Sequence, residues 1–180
     1  MDTGEGGAND NVFYDNDLSH AVANGIEATF SRNIIVRNRI DDSWHGIWGG
    51  YSFDTLIADN TFDGNTEGIA LEHGQHNTIT GNRFTHEDTA IRLWANTSQD
   101  PNWGYAKRRD TKSRDYTIAR NAFASEKTAV DVLRTSGVRL MAQLADEPGS
   151  SAPTGFKPAV AWLRLAAVWS SWLLSRSSRS

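Results

Sequence analysis

The chain contains no cysteine. That excludes a disulfide framework and any thiolate metal site, although it leaves the compartment open. Positive charge is not in excess either: 18 Lys and Arg stand against 22 Asp and Glu, for a net charge of -4. Without a basic stripe to offset phosphate repulsion, a nucleic-acid partner is not expected. Residues 1–10 are polar and glycine-rich, with no basic segment leading into an apolar one, so no secretion signal is visible and the segment reads as flexible. The repeats begin almost at once after it, which fits a piece of something longer.

What the chain does have is a period. Asn16, Asn38, Asn60 and Asn82 follow one another at intervals of 22 residues, and Asn121 comes after a longer gap. Three residues before each Asn stands an apolar residue: Phe13, Ile35, Ile57, Ile79, Ile118. Two residues after it stands another: Leu18, Ile40, Phe62, Phe84, Phe123. Further on comes a small residue followed by a branched aliphatic: Gly25-Ile26 (displaced by one), Gly46-Ile47, Gly68-Ile69, Ala90-Ile91 and Ala129-Val130. A fixed interval of this size means stacked, near-identical units, and 180 residues suffice for one domain with a substantial core.

Inside a unit the apolar pattern has period two, and no unit contains the single long segment of period 3.6 that a helix would need. Three short strands separated by bends fit the interval. If each unit is one coil, equal positions stack about 4.8 Å apart. The apolar columns then become ladders, and the Asn column becomes an internal ladder of side-chain amides. A buried Asn without such partners would cost about 1–3 kcal/mol. A leucine-rich repeat has a similar length, but it needs an apolar residue where this chain has Asn11, Asn33, Thr55, Asn77 and Tyr116. The expected fold is therefore all-β: about five stacked coils over 11–137, interrupted by a long loop at 95–114. Residues 138–157 read as a linker, and 158–174 as an apolar, amphipathic helix candidate. That segment is short for a membrane span and has a central Arg164. It can instead cap the open end of the stack or lie on a membrane surface.

The units Asn33–Ile47, Asp54–Leu71 and Asn77–Leu93 resemble the right-handed parallel β-helix repeats of pectin-lyase-like, carbohydrate-binding and sugar-hydrolysing proteins. The resemblance implies that fold, an extracellular or periplasmic location, and a polysaccharide or glycan partner. It also implies that the strand following the Gly-Ile pair belongs to the sheet whose outer face forms the substrate groove. It leaves the chemistry open, since such folds serve lyases, hydrolases and non-catalytic modules.

On that strand one outward column reads Glu27, Trp48, Ala70, Arg92, Asp131, and the next reads Thr29, Gly50, Glu72, Trp94, Leu133. Flat aromatics offer faces for sugar rings, and Arg and carboxylates bond hydroxyls or uronates. Trp48, Tyr51, Trp94 and, from the loop, Trp103 are the candidate binding aromatics. His45 and Glu67, adjacent in the stack, either extend the site or form an ion pair. Glu27 and Glu72 lie two coils apart, roughly 10–12 Å at the backbone, from which side chains can reach an inverting-hydrolase separation. A lyase instead needs a base and a cation to stabilise an enolate, which His73 and Arg92 would supply. Neither arrangement completes a catalytic signature. The function expected is thus a carbohydrate-interacting protein, as a polysaccharide lyase or glycoside hydrolase; the alternative is a non-catalytic structural or binding module, of which a NosD-like periplasmic protein is one version. No protein metal ligands are singled out. Asp41 and Asp63 stack in neighbouring coils, where either Ca2+ or solvent screening would relieve their repulsion.

Overall fold

The structure, a computed structural model, describes residues 8–29, 31–100 and 102–144, and the backbone of 156–159. The first coil holds β1 (Val12–Tyr14) and β2 (Asn24–Glu27). The second holds β3 (Ile34–Val36), β4 (Arg39–Asp41) and β5 (His45–Trp48). The third holds β6 (Leu56–Ala58), β7 (Thr61–Asp63) and β8 (Glu67–Glu72), and the fourth β9 (Thr78–Thr80), β10 (Arg83–Thr85) and β11 (Thr89–Trp94). After a loop with helix α1 (Gly104–Arg108) and β12 (Ser113–Arg114), the fifth has β13 (Thr117–Ala119), β14 (Ala122–Ala124) and β15 (Thr128–Leu133). Then come β16 (Thr135–Ser136), β17 (Arg139–Leu140) and β18 (Phe156–Ala159).

Equal strands of successive coils pair in parallel, so three sheets run the length of a β-solenoid. The first is β1-β3-β6-β9-β13-β17, the second β4-β7-β10-β14, and the third β2-β5-β8-β11-β15-β18. The register follows the sequence period: Ile35 pairs with Ile57, Phe62 with Phe84, and Ile69 with Ile91. These side chains point inward and are buried. Phe62, Phe84 and Phe123 stack nearly parallel, with centroids 4.9 and 5.3 Å apart. Burying each such ring removes apolar surface worth about 1.5–3 kcal/mol from water. The small residue before each aliphatic has a steric cause: a Cβ on Gly46 would lie 2.6 Å from the carbonyl oxygen of Gly68 in the next coil.

Bends repeat as faithfully as strands. A residue with positive φ begins each one, in three columns: Asp15, Arg37, Asp59, Gly81, Arg120; Asp10, Arg32, Asp54, His76, Asp115; and His20, Asp42, Gly64, His86, Ser125. For an ordinary residue that conformation costs roughly 1–2 kcal/mol, so something must offset it. In the middle coils the next residue does, by turning a polar side chain inward. Asn38, Asn60, Asn82 and Asn121 form the expected ladder between the first and second sheets. Asn60 Oδ1 accepts from the backbone N–H of Asn38 at 2.9 Å and from its Nδ2 at 3.0 Å, while Asn60 Nδ2 donates to Ile35 O at 2.9 Å.

The column Asn11, Asn33, Thr55, Asn77 is a second ladder, between the third sheet and the first. Asn33 Oδ1 accepts from Asn11 N at 3.0 Å, and Asn77 Oδ1 from Thr55 N at 2.9 Å. A third runs between the second and third sheets through Ser43, Asn65 and Glu87.

The repeat extends beyond the expected boundary. β17 pairs with β13, Leu144 bridges to Ala122, and Gln143 takes the Asn position, its Oε1 accepting from Asn121 N at 3.0 Å. Residues 138–144, read from the sequence as linker, are therefore a sixth, partial coil. Gln in place of Asn, with no Gly-Ile pair after it, hides the period. β18 adds to the third sheet beside β15, with Val130 opposite Phe156. Residues 160–174 of the helix candidate and residues 1–7 of the N-terminal segment lie outside the described residues. Among the described residues no helix is long and apolar enough to cross a membrane.

Candidate functional site

The outward columns of the third sheet stand as the period requires: Glu27 opposite Trp48, Trp48 opposite Ala70, and Arg92 opposite both Ala70 and Asp131. Ala70 is fully buried, and the Trp48 and Trp94 rings meet with centroids 5.4 Å apart. Toward the start of these strands the surface opens into a cleft of about 450 Å³, lined by Ala23, Asn24, Trp44, His45, Trp48, Glu67, Arg92 and Trp94. Trp44 stacks on His45 at 4.4 Å, and His45 lies 5.0 Å from Trp48, so one wall is continuous aromatic surface. Trp44 itself is 56% exposed.

Titratable and charged groups form the floor. His45 Nε2 is 3.3 Å from Glu67 Oε2, and both residues are buried, which makes the pair an internal one rather than a surface ion pair. Burial pushes the imidazole below the usual histidine range, against the opposing pull of Glu67. His45 Nδ1 is 2.8 Å from Asn24 Oδ1, whose amide Nδ2 in turn donates to Glu27 Oε2 at 3.2 Å. The other Glu67 oxygen accepts from Arg92 Nη1. Arg92 Nε lies 3.8 Å from Asp131, and its guanidinium sits 4.9 Å over the Trp94 ring.

The sequence candidates thus divide. Trp48, Trp94, His45, Glu67 and Arg92 come together in the cleft. Glu27 stands at its edge through Asn24. Glu72 faces the other way along the sheet, its carboxylate holding Asn96 Nδ2 of the loop. His73 is buried at the root of that loop: Nδ1 donates to Thr111 O at 2.6 Å and Nε2 accepts from Asn96 N at 3.0 Å. Both ring nitrogens are occupied, so His73 as placed clasps the loop and offers no free base. Tyr51 stacks flat on His73 at 4.9 Å and meets Trp103 edge-on at 4.7 Å and Tyr105 at 5.6 Å. Gln75 Nε2 adds bonds to Asp110 O and Lys112 O. Tyr51 and Trp103 therefore belong to the seat of the 95–114 loop and do not line the cleft.

Trp44 and Asn24 were not among the sequence candidates. Both sit where a bend enters the third sheet. The register that placed His45 against Glu67 also puts Asn24 opposite His45. The stacked Asp41 and Asp63 have protein partners: Arg39 bonds Asp41, and His86 Nδ1 is 3.0 Å from Asp63. Neighbouring coils are also joined by ion pairs, Arg37 with Asp15 at 3.6 Å and Arg39 with Asp17 at 3.2 Å.

Compared with known proteins, residues 5–140 match the family described as "Periplasmic copper-binding protein (NosD)". No curated protein and no solved structure matches. Copper prefers thiolate, thioether or imidazole ligands. The chain has no cysteine, and all five histidines are described. Each stands apart: His20 with Asp42, His45 with Glu67, His73 under the loop, His76 with Arg114, His86 with Asp63. Among the described residues no group of three or more His, Cys, Asp or Glu converges. These residues do not fit a copper centre. The fold does fit the family, which is one of right-handed β-helices and is periplasmic, in agreement with the location that the resemblance implies. With 5–140 covered and the parallel solenoid in place, the chain belongs to the NosD family.

Proposed function

We propose that this chain is a non-catalytic, periplasmic binding module of the NosD type, holding a glycan chain in the aromatic cleft of the third sheet. The observation that carries the proposal is the contrast between two sets of side chains. Trp44, Trp48 and Trp94 line one cleft, and among the described residues none of their indole N–H groups has a protein acceptor. They offer apolar faces and free donors, the combination that a sugar ring with its hydroxyls uses. The groups that would do chemistry are committed elsewhere: Glu72 to Asn96, His73 to the loop backbone, and Glu67 to Arg92. A hydrolase needs two available carboxylates, and a lyase needs an unoccupied base. We assign the described residues no copper, since they supply no ligand set for it.

The test is affinity electrophoresis against a panel of neutral and uronate polysaccharides, with product assays on the same mixtures. Retardation is expected, with no new reducing ends and no unsaturated-uronate absorbance. Either product would refute the non-catalytic reading. Migration unaffected by every polymer would refute the glycan.

A further inference from the structure

We infer that the cleft selects uncharged glycans over uronates, and that Glu67 and Asp131 are the residues that set this preference. The inference rests on the glycan reading and makes it specific. Arg92 is the cation lining the cleft, and from the sequence it is the natural partner of a sugar carboxylate. The structure has already spent that charge. One Glu67 oxygen accepts from Arg92 Nη1, Asp131 lies 3.8 Å from Nε, and the guanidinium plane rests over Trp94. Glu67 is buried, so its pairing with Arg92 is screened less than that of a surface ion pair. His45, the other basic group, is pushed toward its neutral form by burial. Glu27 adds a carboxylate at the rim, bonded to Asn24.

A uronate entering here would meet a cation already bonded to one carboxylate, a second carboxylate 3.8 Å from it and a third nearby. To pair with Arg92 it would have to bring its own negative charge beside those of Glu67 and Asp131, a like-charge juxtaposition that costs affinity. A neutral sugar meets neither obstacle: its ring stacks on indole, and its hydroxyls accept from the free N–H groups and donate to the carboxylates. Two further cations, Lys112 and Arg134, line a separate cavity of about 490 Å³ beside His73 and the loop, and do not line the cleft.

The test compares polymers that differ only in charge: polygalacturonate and the same polymer with its carboxyl groups reduced to hydroxymethyl, and alginate treated likewise. Titration calorimetry at low ionic strength is expected to show the reduced polymers bound at least about tenfold more tightly than their parents. Glu67→Gln combined with Asp131→Asn releases Arg92 and is expected to narrow that ratio about tenfold by gaining uronate affinity, an outcome that mere damage to the site would not give. Asp131→Asn alone, at a half-buried position, is expected to move the ratio the same way should the double variant fail to fold. Equal or tighter uronate binding by the unaltered protein would overturn the selectivity and leave the glycan reading standing. An unchanged ratio in folded variants would overturn the roles of Glu67 and Asp131. Binding of no polymer would remove the glycan reading and this inference together.

Discussion

Replacing Glu87 with Gln is expected to stabilise the protein near neutral pH and to flatten its pH dependence. Glu87 occupies the third ladder, where its Oε1 accepts from Asn65 N at 3.3 Å and from Asn65 Nδ2 at 3.1 Å. Its Oε2 is buried without a hydrogen-bond partner. Burial pushes this carboxyl from 4.5 up to about 8, with the Asn65 bonds pulling down and the Glu126 and Asp63 charges adding to the rise. The folded protein therefore holds a proton that the unfolded chain releases above pH 4.5. Stability from this group is fully present below 4.5 and is lost as pH rises toward about 8. At about 1.4 kcal/mol per pH unit, the loss is about 3 kcal/mol by pH 7 and about 5 kcal/mol in all. Gln keeps the carbonyl acceptor for Asn65 and cannot ionise, but its amide N–H groups inherit the unpartnered position at about 1 kcal/mol. The net gain expected at pH 7.5 is about 1–3 kcal/mol. His45 acts in the opposite sense, since its lowered value makes stability rise with pH up to 6.5. Asp41 and Glu126, also pushed up by burial, act in the same sense as Glu87 but are common to both proteins and cancel in the difference. Urea unfolding of both proteins between about pH 6.5 and 8.5 isolates the effect. Parallel pH profiles, or a variant less stable than the parent at about pH 8, would refute the reasoning.

Two further outcomes follow from the same bonds. Asn60→Ala strips acceptors from Asn38 N and Asn38 Nδ2 and a donor from Ile35 O, and is expected to cost about 3–5 kcal/mol in urea unfolding, against under about 1 kcal/mol for Asn16→Ala at the exposed end of the ladder. His73→Ala releases Thr111 O and Asn96 N, so limited proteolysis is expected to cut the 95–114 loop faster while glycan binding in the cleft is kept.

Ladders of identical residues are legible in a sequence because stacking copies each position onto itself every 22 residues. Asn38, Asn60 and Asn82 announce both the fold and their own interior place. The third ladder was not legible, because Ser43, Asn65 and Glu87 satisfy the same backbone donors with different chemistry and so leave no repeated letter. The outward face was legible as a register: Trp48, Arg92 and Asp131 stand where the columns put them. What the columns could not tell is how far a side chain leans along the sheet. Arg92 leans toward Glu67 in the preceding coil and loses its free charge. Nor does a register show where a loop lands, and so Tyr51, His73 and Trp103, promising on the strip, turn out to seat the 95–114 segment. Trp44 escaped notice because it precedes the strand, outside the alternation that marks outward positions.

The most direct test of the cleft as the binding site is a site-resolved one. Proton–nitrogen spectra separate the indole N–H signals of the seven tryptophans, and single Trp→Phe variants assign them. On titration with a neutral polysaccharide, the Trp44, Trp48 and Trp94 signals are expected to shift together and saturate, while Trp103, packed against Tyr51 and Tyr105, stays in place. Shifts confined to Trp103, or no shift in the three cleft indoles at saturating polymer, would contradict the account.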